Sequence, residues 1–369
     1  MKICYIADAS SMHTRRWVNY FSDRGHEIHL ISTTKGDEYA SSIHFHLLTA
    51  VMPKLPLISK YASALSQLIQ VRGLVRQIQP DLLHAHYIAI NGYLSVATGF
   101  HPLVLSAWGS DILIHPKHNP IWKALTRYTL NKAEYITCDA NHMVEAIARF
   151  GVNQDKIKLV YFGTDVQRFK PEKRDDGLRK RLGLDNAPIV ISLRNFAPIY
   201  DIDTLINAVP LILKEVPEVR FIIAGKGPEE LKLKETAKSL GVSDKIIFPG
   251  LLSQEELPQY LASSEVYVST SLSDAGLSAS TAEAMASGLP VVITNFGDNS
   301  KWVKDGVNGF LFPLSNPEAL ASKITYLLRS RYDRMRFGQA NRSVIEERNN
   351  YEREMEKVGK LYEQLIATQ

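Results

Sequence analysis

Two cysteines in 369 residues, Cys4 and Cys138, leave no room for a disulfide framework, and both fall in stretches that read as strands. A reduced, cytoplasmic protein is the expectation. No window approaches 18 uninterrupted apolar residues, so no membrane-spanning helix is expected. The opening Met1-Lys2-Ile3-Cys4-Tyr5-Ile6-Ala7-Asp8 is too short and too soon acidic for a signal peptide and reads as a first strand. The loop after it, Asp8 to His13, lacks Gly-x-Gly-x-x-Gly, which counts against a dinucleotide-binding dehydrogenase. No Cys/His spacing of the kind that holds a metal is present, so neither metal nor cofactor is expected. No dense basic stripe with interleaved aromatics occurs, which argues against nucleic acid as a partner.

What the chain does have is ordinary globular composition, 45% hydrophobic and 22% charged, at a length that suits two domains. Its charge is uneven. Residues 1–165 carry 16 Lys and Arg against 12 Asp and Glu, and the rest 27 against 27, so the formal excess of +4 sits in the first half. All 11 histidines precede residue 143. One reading is an N-terminal half that meets something anionic, such as a membrane or a phosphorylated lipid. The other is a modestly basic surface.

Strand and helix patterns alternate throughout. Expected strands are 2–7, 26–32, 43–48, 81–86, 103–107, 134–138 and 157–161, then 187–193, 219–224, 245–249, 266–270 and 291–294. Helices fill most gaps, among them 12–23, 58–78, 120–131, 202–213 and 317–328, and 331–369 reads as charged helix. This order predicts α/β architecture with parallel sheets covered by helices on both faces. Polar residues 173–180 mark a boundary.

The chemistry concentrates between Ser269 and Thr294. A strand end, a small-residue loop (Asp274-Ala275-Gly276-Leu277-Ser278), a short helix stopped at Gly288 and a new strand after Pro290 follow one another. Strand, glycine loop and helix aim backbone N–H groups and the positive end of a helix dipole at one spot, where an anion can sit. Glu283 is the one acid in that helix. Ser280-Thr281-Ala282-Glu283 fits a capping box, with Glu283 folding back to the helix start. Alternatively, the carboxylate accepts hydrogen bonds from a ribose diol. Arg194 stands just past the carboxyl end of a strand, where ligands bind in such sheets, and its fork suits a phosphate.

Glu283-Ala284-Met285-Ala286-Ser287-Gly288-Leu289-Pro290 closely resembles the nucleotide-sugar signature of the retaining glycosyltransferases of family 4. The resemblance implies the GT-B fold: two Rossmann-like, doubly wound parallel-sheet domains facing a central cleft. It places an acceptor-side domain over 1–167, a nucleotide-sugar domain over 168–345, and a last helix, 346–369, packing back on the first domain. It implies that Glu283 holds the donor ribose and Arg194 the diphosphate. The lysine that the family carries six residues later is Tyr200 here, so Lys226 in Gly225-Lys226-Gly227-Pro228 is the candidate substitute. The Phe248–Leu252 turn resembles the one beside the donor base, which brings in Leu252. Asp274, Ala275, Gly276, Leu277 and Ser278 would line the donor, although the family's first Glu is replaced by Ala275.

On the acceptor side, Arg24-Gly25-His26-Glu27-Ile28 resembles the family's second-strand start. The usual glycines of its first loop are replaced by Ser10 and Ser11, with His13 following. A lone loop histidine is more often solvated, but a strand's carboxyl end raises its interest. Asp81–His86 resembles an acceptor-facing "PDxxHxH", and Ser106–Asp111 resembles "HGxD" with Trp108 at the His position. Trp108 stacks on a sugar or fills space. Asp111 joins Arg194 and Glu283 as a candidate catalytic residue. Val160–Pro171 is similar to the family's interdomain link. Asp305–Pro313 is similar to its late turn and reads as two glycine turns around a short hairpin.

The resemblance therefore implies a retaining, metal-independent hexosyltransferase that uses a nucleotide diphosphate sugar. Its acceptor would be lipid-linked or saccharide, in bacterial lipopolysaccharide, capsule or exopolysaccharide assembly at the cytoplasmic face of the inner membrane. Trp108, Tyr200 and Ala275 leave open a GT-B shell that binds or scaffolds without turnover, and a nucleotide-sugar epimerase is a further alternative. Leu55–Ile78 combines an apolar stripe with Lys54, Lys60, Arg72 and Arg76, as a core-packing helix or as one that docks on an anionic membrane.

Overall fold

The computed structural model describes residues 1–36, 39–49, 56–184, 186–273 and 276–368, and for 56–61 the backbone alone. Its contacts divide the chain into two units, Met1–Phe162 with Glu354–Gln369, and Gly163–Arg353.

The first unit is built on seven strands: β1 (Lys2–Ile6), β2 (Glu27–Ser32), β3 (Ile43–Leu47), β4 (Leu82–His86), β5 (Leu103–Ser106), β6 (Tyr135–Cys138) and β7 (Ile157–Leu159). They lie in the order β3-β2-β1-β4-β5-β6-β7, every pairing parallel. Successive residues of β1 serve opposite faces. Cys4 and Ile6 join an aliphatic core with Val71, Leu83, Leu105 and Ile136. Tyr5 points into an aromatic layer with His84 and His86. Both faces are buried, so the strands read as continuous apolar runs. Cys4 and Cys138 are free and buried, and burial pushes both thiols up to about 12.

The second unit has six strands: β8 (Ile189–Leu193), β9 (Arg220–Ala224), β10 (Ile246–Ile247), β11 (Val266–Ser269), β12 (Val291–Thr294) and β13 (Gly309–Phe312). Their order is β10-β9-β8-β11-β12-β13, again all parallel. Val190 faces one core with Leu205 and Val209, while Ile189 and Ile191 face another with Tyr267 and Met285. Strand order reverses at the β1/β4 pair in the first sheet and at the β8/β11 pair in the second. Doubly wound sheets bind their ligands beyond the carboxyl ends at such switch points.

Three local readings change. Residues 305–313 are not a hairpin: β13 runs parallel to β12 as the last strand of the sheet. Gly309 is there for close approach, because a Cβ at that position would lie 2.5 Å from the Val291 carbonyl oxygen. The strand expected over 245–249 shrinks to two residues, since Pro249 has no N–H to give and Gly250 turns the chain at φ +80°. The charged tail is two helices, Arg331–Arg348 and Tyr351–Ala367, interrupted at Asn349-Asn350. The last of these crosses back to the first unit. There Tyr362 is fully buried, its hydroxyl 3.1 Å from that of Tyr5 and 2.5 Å from His84 Nδ1. Glu354 accepts from the Tyr161 N–H at 3.0 Å.

Candidate active site

In the second unit the switch point gathers the loops after β8, β9 and β11. Arg194 follows β8 directly and is buried. Its guanidinium reaches Ser280 Oγ at 3.5 Å and Ser271 Oγ at 3.4 Å, and lies over the Tyr200 ring, 4.4 Å from the centroid. Both hydroxyl contacts are at the long limit of hydrogen bonding. Tyr200 adds no second charge. It supplies a π face that holds Arg194 in place. Gly225 and Gly227 let the loop after β9 lie against this segment: Cβ atoms there would fall 2.2 Å from the Arg194 carbonyl oxygen and 2.4 Å from that of Phe196. Lys226 between them is exposed, and its chain lies beside Gly250. Leu252, just beyond, is half-buried against the core.

After β11, the helix Ala279–Ala286 takes Ser278 as its N-cap, whose hydroxyl accepts from the Thr281 N–H at 3.4 Å. Tyr267 braces the first turn from below, its hydroxyl 2.8 Å from Ser280 Oγ. Glu283 is therefore five residues past the cap, beyond the first turn, and half-buried. The Ser280–Glu283 capping box does not form, because the helix starts two residues earlier than that reading required. Gly276 and Leu277 are half-buried in the approach to the cap. Asp274 and Ala275 lie outside the described residues.

At the first unit's switch point, the loop after β1 gives way to the helix Met12–Ser22, with Ser11 as its N-cap. His13 is thus in the first helical turn. It stacks on Phe162 at 4.1 Å between centroids and meets Trp108 edge-on at 5.4 Å. Trp108 is half-buried and 5.1 Å from the ring of His86. His86 is fully buried and, among the described residues, neither of its ring nitrogens has a hydrogen-bond partner, an arrangement that costs on the order of 1–3 kcal/mol. Asp111 is enclosed. Its carboxylate accepts from the Ile88 N–H at 2.8 Å and the Trp108 N–H at 3.1 Å, and burial raises its pKa. That geometry makes Asp111 a brace that positions the Trp108 loop, rather than a group presented to a reactant.

Burial, then the charge of Arg16, pushes the His13 pKa down to about 4, and burial, then His13, pushes that of His86 down to about 3. An unfolded histidine titrates near 6.5. Between those values the unfolded chain binds more protons, so stability is full above pH 6.5 and falls as pH drops through the window. The urea midpoint is expected to hold steady from pH 8 to 7 and decline from 6.5 to 4.5. His13→Gln should flatten part of that decline. A level midpoint from pH 7 to 5 would contradict this account.

Two family models match the chain, one described as Glycosyl transferases group 1 over residues 174–344 and one as Glycosyl transferase 4-like over residues 2–140. The chain belongs to the group 1, family 4-like glycosyltransferases. It is 29% identical to spore coat protein SA of Bacillus subtilis over 58% of this chain and 61% of that one. It is 25% identical to the N-acetyl-alpha-D-glucosaminyl L-malate synthase of Bacillus anthracis over 88% and 86% of the two chains. Among solved structures, HepE of Anabaena, crystallised with UDP and with UDP-glucose, superposes with TM-scores of 0.82 and 0.79. It is 20% identical to this chain, with 99% of this chain and 100% of that chain covered. These structures share the GT-B fold with this glycosyltransferase.

The fold brings in several residues that the sequence alone did not single out. Ser271 and Tyr267 support Arg194 and the helix start, but a serine and a tyrosine in a strand end carry no local signal. Phe162 and Tyr362 complete the aromatic layer from positions roughly 150 and 280 residues away from their partners, His13 and His84. Only the fold brings them together.

Proposed function

We propose that this glycosyltransferase is a retaining enzyme that moves a hexosyl group from a nucleoside diphosphate sugar to an acceptor hydroxyl without a metal. The observation that carries the reading is Arg194, buried at the β8/β11 switch point and held between Ser271, Ser280 and the Tyr200 ring beside a capped helix N-terminus. Transfer develops positive charge at the anomeric carbon and negative charge on the departing diphosphate. A fixed guanidinium and oriented N–H groups stabilise that negative charge. Lys226 contributes a second cation, and Glu283 takes the ribose diol. Family resemblance implies same-face attack, in which the donor phosphate accepts the acceptor's proton and no enzyme nucleophile is required. The UDP and UDP-glucose held by HepE support a nucleotide-sugar donor. The half-exposed Trp108, flanked by His13, suits stacking on an acceptor sugar.

The chain's Asp-x-Asp supports metal independence, because both carboxylates are engaged. Asp201 accepts from Thr204 and Ser315, and Asp203 pairs with Lys232. The test is nucleoside diphosphate release from a panel of nucleotide sugars with saccharide and lipid-linked acceptors in excess EDTA. Undiminished turnover is expected. Turnover that stops on chelation and returns with Mg²⁺ or Mn²⁺ would overturn the mechanism. Donor binding without any turnover would favour the second reading, a GT-B shell used for binding, to which the Trp108 and Tyr200 replacements lend support.

We also place the acceptor's membrane contact, at the cytoplasmic face of the inner membrane in envelope polysaccharide assembly, on the helix Pro56–Ile78. Val71, Val75 and Ile78 bury one face of it in the core. The outer face keeps Leu65 and Ile69 exposed, with Arg72 and Arg76 on the same stripe. Lys54 and Leu55 lie outside the described residues, as do the side chains of Leu57, Ile58, Lys60 and Tyr61. No described helix is long and apolar enough to cross a membrane. Binding to anionic vesicles should weaken with salt without vanishing, at about 1 kcal/mol per basic residue near the surface. Equal binding by an R72Q/R76Q variant would remove this helix from the contact.

A further inference from the structure

Four chemistry-bearing side chains meet on the edge of the first sheet. β3 is the edge strand, paired in parallel with β2 so that His29 lies opposite His44 and Ile31 opposite His46. The two-residue period of a strand then sets Glu27, His29, His44 and His46 on one face. His29 stacks on His44 at 4.7 Å and on His46 at 5.4 Å between centroids. Its Nε2 is 3.0 Å from Glu27 Oε1, and its Nδ1 is 3.1 Å from His46 Nε2. One ligand atom each from Glu27, His29 and His44 lies within 4.8 Å of the other two.

We infer that this edge is a zinc site, with Glu27, His29 and His44 as protein ligands and His46 as the group that orients His29. The donor set is imidazole-rich with one carboxylate, which suits zinc and its borderline neighbours over magnesium or calcium. Tetrahedral zinc sets its ligand atoms about 3.3 Å apart, so the triangle contracts by less than about 2 Å on binding. His44 is exposed on the edge strand and free to make that movement. His29 is the fixed member, buried. A ligating histidine characteristically passes its other N–H to a partner that locks ring and tautomer, and His46 is placed to accept it. Lys2 sits 3.4 Å from Glu27 and would give up that exposed ion pair, which contributes little. A fourth position falls to water. The linear sequence shows no metal spacing because the ligands come from two strands that only the parallel register aligns. The bound ion would tie the edge strand β3 to β2 at the strands' amino-terminal half, remote from the switch point at their carboxyl ends.

The test uses the full chain, purified without a polyhistidine tag and stripped with EDTA. Calorimetric titration with zinc chloride is expected to show one ion per chain and a rise in melting temperature. His44→Gln, at an exposed position that leaves the fold intact, should weaken zinc at least tenfold. Glu27→Gln should weaken it as well, and the exposed control His118→Gln should leave it unchanged. X-ray absorption of the zinc complex should show two imidazoles. Absence of one-to-one binding overturns the proposal. So does equal affinity in His44→Gln, or a loss in His118→Gln as large as in His44→Gln. Sugar transfer is expected to be the same with and without the ion, so this site and the proposed donor chemistry fail separately.

Discussion

Arg194→Ala is expected to lower kcat/KM for transfer by about 10²–10³, the scale for removing one preorganised donor from a developing anion. The reason is geometric. Arg194 is buried at the second unit's switch point, and the Tyr200 ring lies against its guanidinium. The variant should lose affinity for free nucleoside diphosphate while keeping its affinity for the nucleoside. Arg194→Lys should recover little, because an ammonium cannot make the bidentate fork. Equal losses for nucleoside and nucleoside diphosphate would remove Arg194 from the phosphate position.

Glu283→Ala is expected to cost about 1.5–3 kcal/mol of donor affinity, the range for hydrogen bonds to a charged group, with the melting temperature unchanged. The helix start explains the separation. Ser278 caps the start of the helix and the Thr281 N–H is its donor, so that cap does not depend on the Glu283 carboxylate. Ser278→Ala, which removes the cap, should lose about 1 kcal/mol of stability. A fall in melting temperature for Glu283→Ala, with donor affinity per folded molecule intact, would return the residue to a structural role.

The positions that these variants probe were visible in the sequence to different degrees. β-branched runs between glycine and proline punctuation located most strands, because doubly wound sheets bury both faces and leave apolar stretches with sharp ends. Arg194 was legible because it ends such a stretch. Residues 305–313 were misjudged because Gly306 does turn the chain at φ +74°, whereas Gly309 serves the contact with Val291. A glycine's letter does not say which of the two it does. The start of the helix at Ala279 was missed for a related reason: Ser278 and Ser280 are both good caps, and only the loop's path chooses between them. Asp111 looked catalytic from its motif, yet its carboxylate is consumed by two backbone amides. The Glu27, His29 and His44 cluster was invisible, since cross-strand register has no trace in linear spacing.

The claim on which the account rests is that the second unit holds a diphosphate through protein groups alone. Calorimetric titration of the wild-type chain with UDP and with uridine, both in EDTA, addresses it directly. The account predicts that the diphosphate contributes at least ~1.4 kcal/mol, a tenfold gain in affinity of UDP over uridine. Equal affinities in EDTA, or a UDP preference that appears only when Mg²⁺ or Mn²⁺ is added, would contradict it.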